Sequence, residues 1–211
     1  MKRIIEKEVL EKGLDAVAKN LAMMIAEKSF ELWERKDFRS LVNFAAIGKT
    51  EQDRIFNELE VTGLGFIKFH LDNQRLRADD EAKDFFLSEI QKRIPQQFLA
   101  KMTEMGVEQK FVKIWDKLIK LRFDEYEEDL KLAHLQSANR EEVKGDKKWF
   151  QPIWASIETM AICGLQHIRR GKTTPKDPLW KMLRKWLLEM EKDLTMLFAN
   201  LDKSMSPPLR H

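Results

Sequence analysis

Two glycines and a histidine sit inside the run VTGLGFIKFHL, residues 61–71. If this run is helical, 100° per residue places Leu59, Gly63, Phe66 and His70 on one face. Gly63 then leaves a side-chain-sized gap one turn from Phe66 and two turns from His70. Glycine in a helix interior costs about 1 kcal/mol relative to alanine, so something should offset it. One candidate is the close crossing of another helix, which makes His70 a hydrogen-bonded core histidine. The other is space for a ligand, which makes Gly63, Phe66 and His70 the walls of a site for a cofactor or apolar small molecule. Glu60 lies about 80° around the helix from His70 and reads as a boundary residue.

A second group lies between Pro152 and Arg170. Ile153, Ile157, Met160, Ala161, Gly164 and Ile168 make an apolar face, and Glu158 stands at its edge. A carboxylate in apolar surroundings has a raised pKa and can serve as an acid or a ligand. Glu158 therefore joins Gly63, Phe66 and His70 in the cofactor-binding set of the pocket reading. The alternative is an ion pair with a Lys or Arg of a neighbouring helix. Ser156, Cys163 and His167 share another flank. A histidine one turn from a cysteine can activate the thiol, although a mid-helix cysteine more often packs as a small hydrophobe.

The absences narrow the chemistry. A di-iron carboxylate bundle needs Glu-x-x-His on two helices. The residues three before the four histidines are Ile67, Lys131, Gly164 and Pro208. HExxH, GxSxG, P-loop and dinucleotide-binding motifs are missing. One cysteine, Cys163, excludes an internal disulfide and a multi-cysteine zinc site, and it suits a reducing compartment. No metal site is expected, no cofactor is identified, and whether the chain is an enzyme is left open.

Charge is nearly balanced, at +3 with 38 Lys+Arg against 35 Asp+Glu. Residues 144–185 hold ten Lys/Arg against three acidic residues, a net of +7, with Trp149, Phe150, Trp154 and Trp180 interleaved. Aromatics among cations are what a nucleic-acid surface uses. The block is split among three elements without a recognition motif, which argues against nucleic acid and leaves an acidic protein partner, an anionic ligand or a solvated surface.

The elements that position these groups follow from periodicity. Sparse Gly and Pro and three- and four-residue apolar steps predict helices throughout. The first covers 3–35. A short one is capped by Asp37 and ended by Gly48. A long central one covers 51–77, after a Thr50/Asp53 capping pair. One starts at Asp79/Asp80 and stops at Ile94-Pro95, where Pro95 begins another that ends at Gly106. Others cover 108–136, Pro152 to Gly171, and Pro178 to Leu201 with Asp177 as N-cap. Two glycines and alternating aromatics make a strand the competing reading of 61–71, and the charged helical flanks decide for helix.

The expected fold is all-α, a single-domain bundle of about seven or eight helices around the buried 51–77 helix. The domain spans 1–202, the loop at 137–147 is the only sub-boundary, and 203–211 is a loose tail. Leu179, Leu183, Trp186, Met190, Leu194, Leu197 and Leu201 form a near-heptad stripe. It serves either a protein partner or self-association, or the chain's own core. The charged start lacks a signal-peptide h-region and no apolar run reaches the ~18 residues of a membrane span, so a cytoplasmic setting is expected. The functional expectation is a non-enzymatic binding or interaction protein using apolar helix faces and a basic C-terminal surface. The alternative is a helical pocket protein holding a cofactor or apolar small molecule near Gly63, Phe66 and His70, with an enzymatic version in which His70 and Glu158 carry the catalysis.

Overall fold

The computed structural model describes residues 2–138, 151–174 and 176–205. It consists of seven α-helices and one 3-10 turn, with no strand among the described residues. They are α1 (Lys2–Glu34), α2 (Lys36–Leu41), the 3-10 turn (Phe44–Ala46), α3 (Lys49–Arg75), α4 (Glu81–Glu104), α5 (Gln109–Ala138), α6 (Gln151–Arg169) and α7 (Pro178–Met205). The 61–71 run lies wholly inside α3, so helical period governs it.

Helix α3 is the axis of the bundle. It packs against α1, α4, α5, α6 and α7. Every residue from Glu58 to Ile67 is buried, which requires neighbours around the full circumference. Paired positions give the directions. Thr62 meets Gly164 and Asn73 bonds Ser156, so α6 runs antiparallel to α3. Glu58 meets Arg122 and Lys68 meets Glu127, so α5 runs parallel to it. Gly63 meets Ile25 and Trp33 stacks edge-on with Phe56, so α1 is antiparallel.

Glycines allow these approaches. A Cβ on Gly65 would stand 2.6 Å from the Tyr126 ring and 3.0 Å from Met160 Cε. A Cβ on Gly63 would stand 2.8 Å from Ile25 Cγ2. Of the two readings of Gly63, the geometry here is that of a close helix crossing.

Several boundaries differ from expectation. Pro95 does not divide two helices, because α4 runs through it. Its buried face, Leu87, Ile90, Ile94 and Phe98, continues across the proline, and packing on α1 and α3 holds the turn. Asp37 is not the N-cap of α2. Arg35 holds that position, and Asp37 accepts from its guanidinium at 2.7 Å. Gly48 is the N-cap of α3 rather than the end of α2, and Asp53 pairs with Lys49 instead of closing a capping box with Thr50. Asp80 caps α4 through the Lys83 amide, and Asp177 bonds the Leu179 amide at the start of α7, as their positions suggest. Helix α7 continues to Met205, past the expected end at Leu201. Most of the 137–147 loop and the 206–211 part of the tail lie outside the described residues.

The α7 stripe is core. Leu179, Leu183, Trp186, Met190 and Leu194 are buried, chiefly against α6, and Trp186 Nε1 donates to the Lys28 carbonyl of α1. No helix among the described residues is long and apolar enough to cross a membrane.

The close approach at Gly65 predicts that Gly65→Ala lowers unfolding free energy by about 1–3 kcal/mol through overpacking, despite better helix propensity. Gly13, with nothing within 4 Å of its would-be Cβ, should give the opposite sign, a gain of about 0.5–1 kcal/mol for Gly13→Ala. Urea unfolding of both variants checks this, and stabilisation by Gly65→Ala would contradict the packing.

Candidate functional site

The residues singled out by sequence separate into independent contacts, those of Phe66 and His70 in the core and that of Glu158 nearer the surface. Phe66 is buried beside the Gly63 crossing. His70 is buried as well. Its Nδ1 lies 2.8 Å from Glu191 Oε2, its ring stacks on Phe198, and its Nε2 is 3.4 Å from the Gln74 amide. Both ring nitrogens are thus engaged by protein. Glu158 pairs with Arg184 of α7 at 2.5 Å, and that guanidinium lies over Trp154 and Trp180. His70 and Glu158 close separate ion pairs on α7 and do not converge.

Cys163 is equally committed. Its Sγ donates to Asp129 Oδ2 at 3.2 Å. Burial, and then that carboxylate, push the thiol's pKa up, which removes the nucleophilic thiolate. Burial also pushes His167 down, and its Nε2 faces Glu125 at 3.4 Å. Ser156 donates to the Pro152 carbonyl.

The basic block is partly neutralised. Arg169 binds Asp177 in a two-pronged pair at 3.0 and 3.1 Å, and Arg170 pairs with Glu51. Arg54 donates to the carbonyls of His167 and Ile168 at the end of α6, where a cation suits the helix dipole.

A different location combines a cavity with an unpaired ionisable group. Between α1, α3, α4 and α5 lies a pocket of about 310 Å³. Helix α1 contributes Ala22, Met23 and Ala26 to it, and α4 contributes Phe98 and Met102. Phe56 of α3 and Trp115 of α5 complete the apolar lining. Phe98 and Trp115 meet edge to face at 5.3 Å, which fixes one wall, while the methionines give the other an adaptable surface.

Glu60 lines this pocket from α3. The residue is only 7% exposed, and no ion pair or hydrogen bond reaches its carboxyl among the described residues. Burial pushes its pKa up to about 8, so the carboxyl is mostly neutral at pH 7. At the mouth, Lys19 and Lys101 also line the pocket, and each bonds Glu104 at 3.3 Å. Neither supplies a counter-ion to Glu60.

No known protein family, characterised protein or solved structure matches this chain. Its function is therefore a question of geometry and chemistry alone.

Sequence reasoning placed Glu60 at a boundary and missed the pocket. The signal available was a glutamate leading directly into the nearly uncharged 61–71 run, one turn after Phe56. Its burial is decided only when α1, α4 and α5 close over α3.

A carboxyl that is neutral when folded and ionised when unfolded makes stability fall with pH. The folded state binds more protons than the unfolded one between the ordinary value of 4.5 and about 8. Stability contributed by the neutral form is therefore full below 4.5 and lost progressively up to about 8. The loss is on the order of 1.4 kcal/mol for each pH unit crossed between those two values. Glu60→Gln should flatten that decline, so its stability relative to wild type rises from pH 5 to pH 8. Chemical denaturation at both pH values checks this, and a constant difference would show Glu60 to be solvated.

Proposed function

We propose that the protein is a non-enzymatic binding protein that takes up a small, largely apolar molecule in the pocket between α1, α3, α4 and α5. The observation that carries this reading is an apolar cavity with a buried carboxyl at its wall that no protein group satisfies. Ligand sites combine an apolar lining with a few polar groups that fix orientation. The groups with catalytic potential elsewhere, His70, Cys163, His167 and Glu158, each face a polar partner within the protein. A cytoplasmic setting goes with a single cysteine held as a free thiol.

A second reading, an interaction protein, rests on helix α5. Ile114, Leu121 and Leu132 are more than half exposed and fall within a narrow sector of one face, with Phe111 and Leu135 exposed at its edges. Glu125 and Glu128 separate Leu121 from Leu132 on this face, so the apolar cluster of Phe111, Ile114 and Leu121 is the part that could mark a protein contact. The protein partner or second copy expected from sequence would then meet α5 rather than the α7 stripe, which is buried.

For the pocket, 1-octanol is a neutral apolar probe. Calorimetry should show saturable one-to-one binding, abolished in Ala26→Trp, which fills the cavity from α1. An unaltered octanol isotherm in a folded Ala26→Trp protein would exclude this pocket. For the α5 face, sedimentation over a range of concentrations should show association that Leu121→Glu removes, and a monomer throughout would exclude self-association.

A further inference from the structure

Resting on the pocket reading above, we infer that the molecule bound there carries a protonated amine on an apolar body, with the amine seated against the Glu60 carboxylate. The chemistry follows from what surrounds Glu60. From α1 the charged groups lining the same cavity are Lys19 and Glu27, and from α4 Lys101. Trp115 of α5 adds none. Both lysines are bound to Glu104 at the mouth. Asn57 of α3 and Gln97 of α4 supply neutral amides.

The cavity's two lysines are therefore held at its mouth by Glu104, and no basic group pairs with the Glu60 carboxyl. A buried carboxyl is satisfied best by a donor that also brings positive charge. Phe56, Phe98 and Trp115 add aromatic surface, which suits an ammonium group as well as hydrocarbon. Glu27, at the rim without an ion-pair partner among the described residues, adds a second negative charge on the way in. A ligand with a carboxylate head and its tail inside would instead use the lysines at the mouth and leave Glu60 against hydrocarbon, unsatisfied.

In the empty pocket Glu60 is protonated. An alkylammonium ion that enters and pairs with it displaces that proton to solvent, and no covalent bond changes. One proton released per ligand makes affinity rise about tenfold per pH unit below the Glu60 midpoint and level off above it.

The test compares three probes with one tail, n-octylamine, 1-octanol and octanoate, by calorimetry on the full chain at pH 6, 7 and 8. Octylamine should bind at least tenfold more tightly than octanol at pH 8, and octanoate more weakly than either. Its Kd should fall about tenfold per pH unit from pH 6 to 7, with proton uptake by buffer, while the Kd of octanol stays nearly constant. Glu60→Gln should lose both the amine preference over octanol and the pH dependence of octylamine binding. Octanol or octanoate binding as tightly as octylamine, or an amine affinity that ignores pH, would overturn the amine assignment and leave the pocket standing. Binding by none of the three would overturn the pocket reading itself. The wild-type comparison decides even if Glu60→Gln does not fold.

Discussion

Helix α3 is enclosed by five others, and a helix in that position must give its polar side chains partners within the protein. Most have them. Glu58 receives two bonds from Arg122, Thr62 donates back to the Glu58 carbonyl, His70 meets Glu191, and Asn73 donates to Ser156. Each pairing ties α3 to a covering helix or to its own backbone, so the polar groups help set which neighbour lies where. The glycines act with them. Gly63 admits α1 and Gly65 admits Tyr126 of α5, while Gly164 of α6 admits Thr62 of α3. Side chains at these points would hold the helices apart and open the polar pairs to water.

Against that background Glu60 is the exception. It sits two residues from Glu58, on the side of α3 that faces α4 and α1 rather than Arg122. An isolated carboxylate there would be strongly penalised, and the group avoids the penalty by holding a proton. With Glu58, Thr62, His70 and Asn73 of α3 paired, an apolar residue at 60 would remove this penalty altogether. This unpaired acid beside a cavity is the observation on which the proposed binding role rests.

Much of the architecture was legible in the chain. Three- and four-residue apolar steps located the helices, and the nearly uncharged 61–71 run marked the one to be buried. Asp80 and Asp177 announced helix starts through ordinary capping chemistry. Local rules failed where long-range packing overrode them. Pro95 reads as a boundary, yet the apolar face of α4 continues through it onto α1 and α3. The site was the least legible part. His70 and Glu158 stood out by residue type, but their partners Glu191 and Arg184 lie on α7, far along the chain. Glu60 looked ordinary because neither its burial nor its lack of a counter-ion is a local property.

The proposed binding role turns on the ionisation state of one side chain, and carbon-13 NMR of the glutamate carboxyls reads it directly. With the Glu60 resonance assigned through Glu60→Gln, its titration in the ligand-free protein should have a midpoint near 8. A midpoint in the ordinary range near 4.5 would contradict that role, since it would place the carboxyl in water or beside a cation and leave the pocket without its unsatisfied acid.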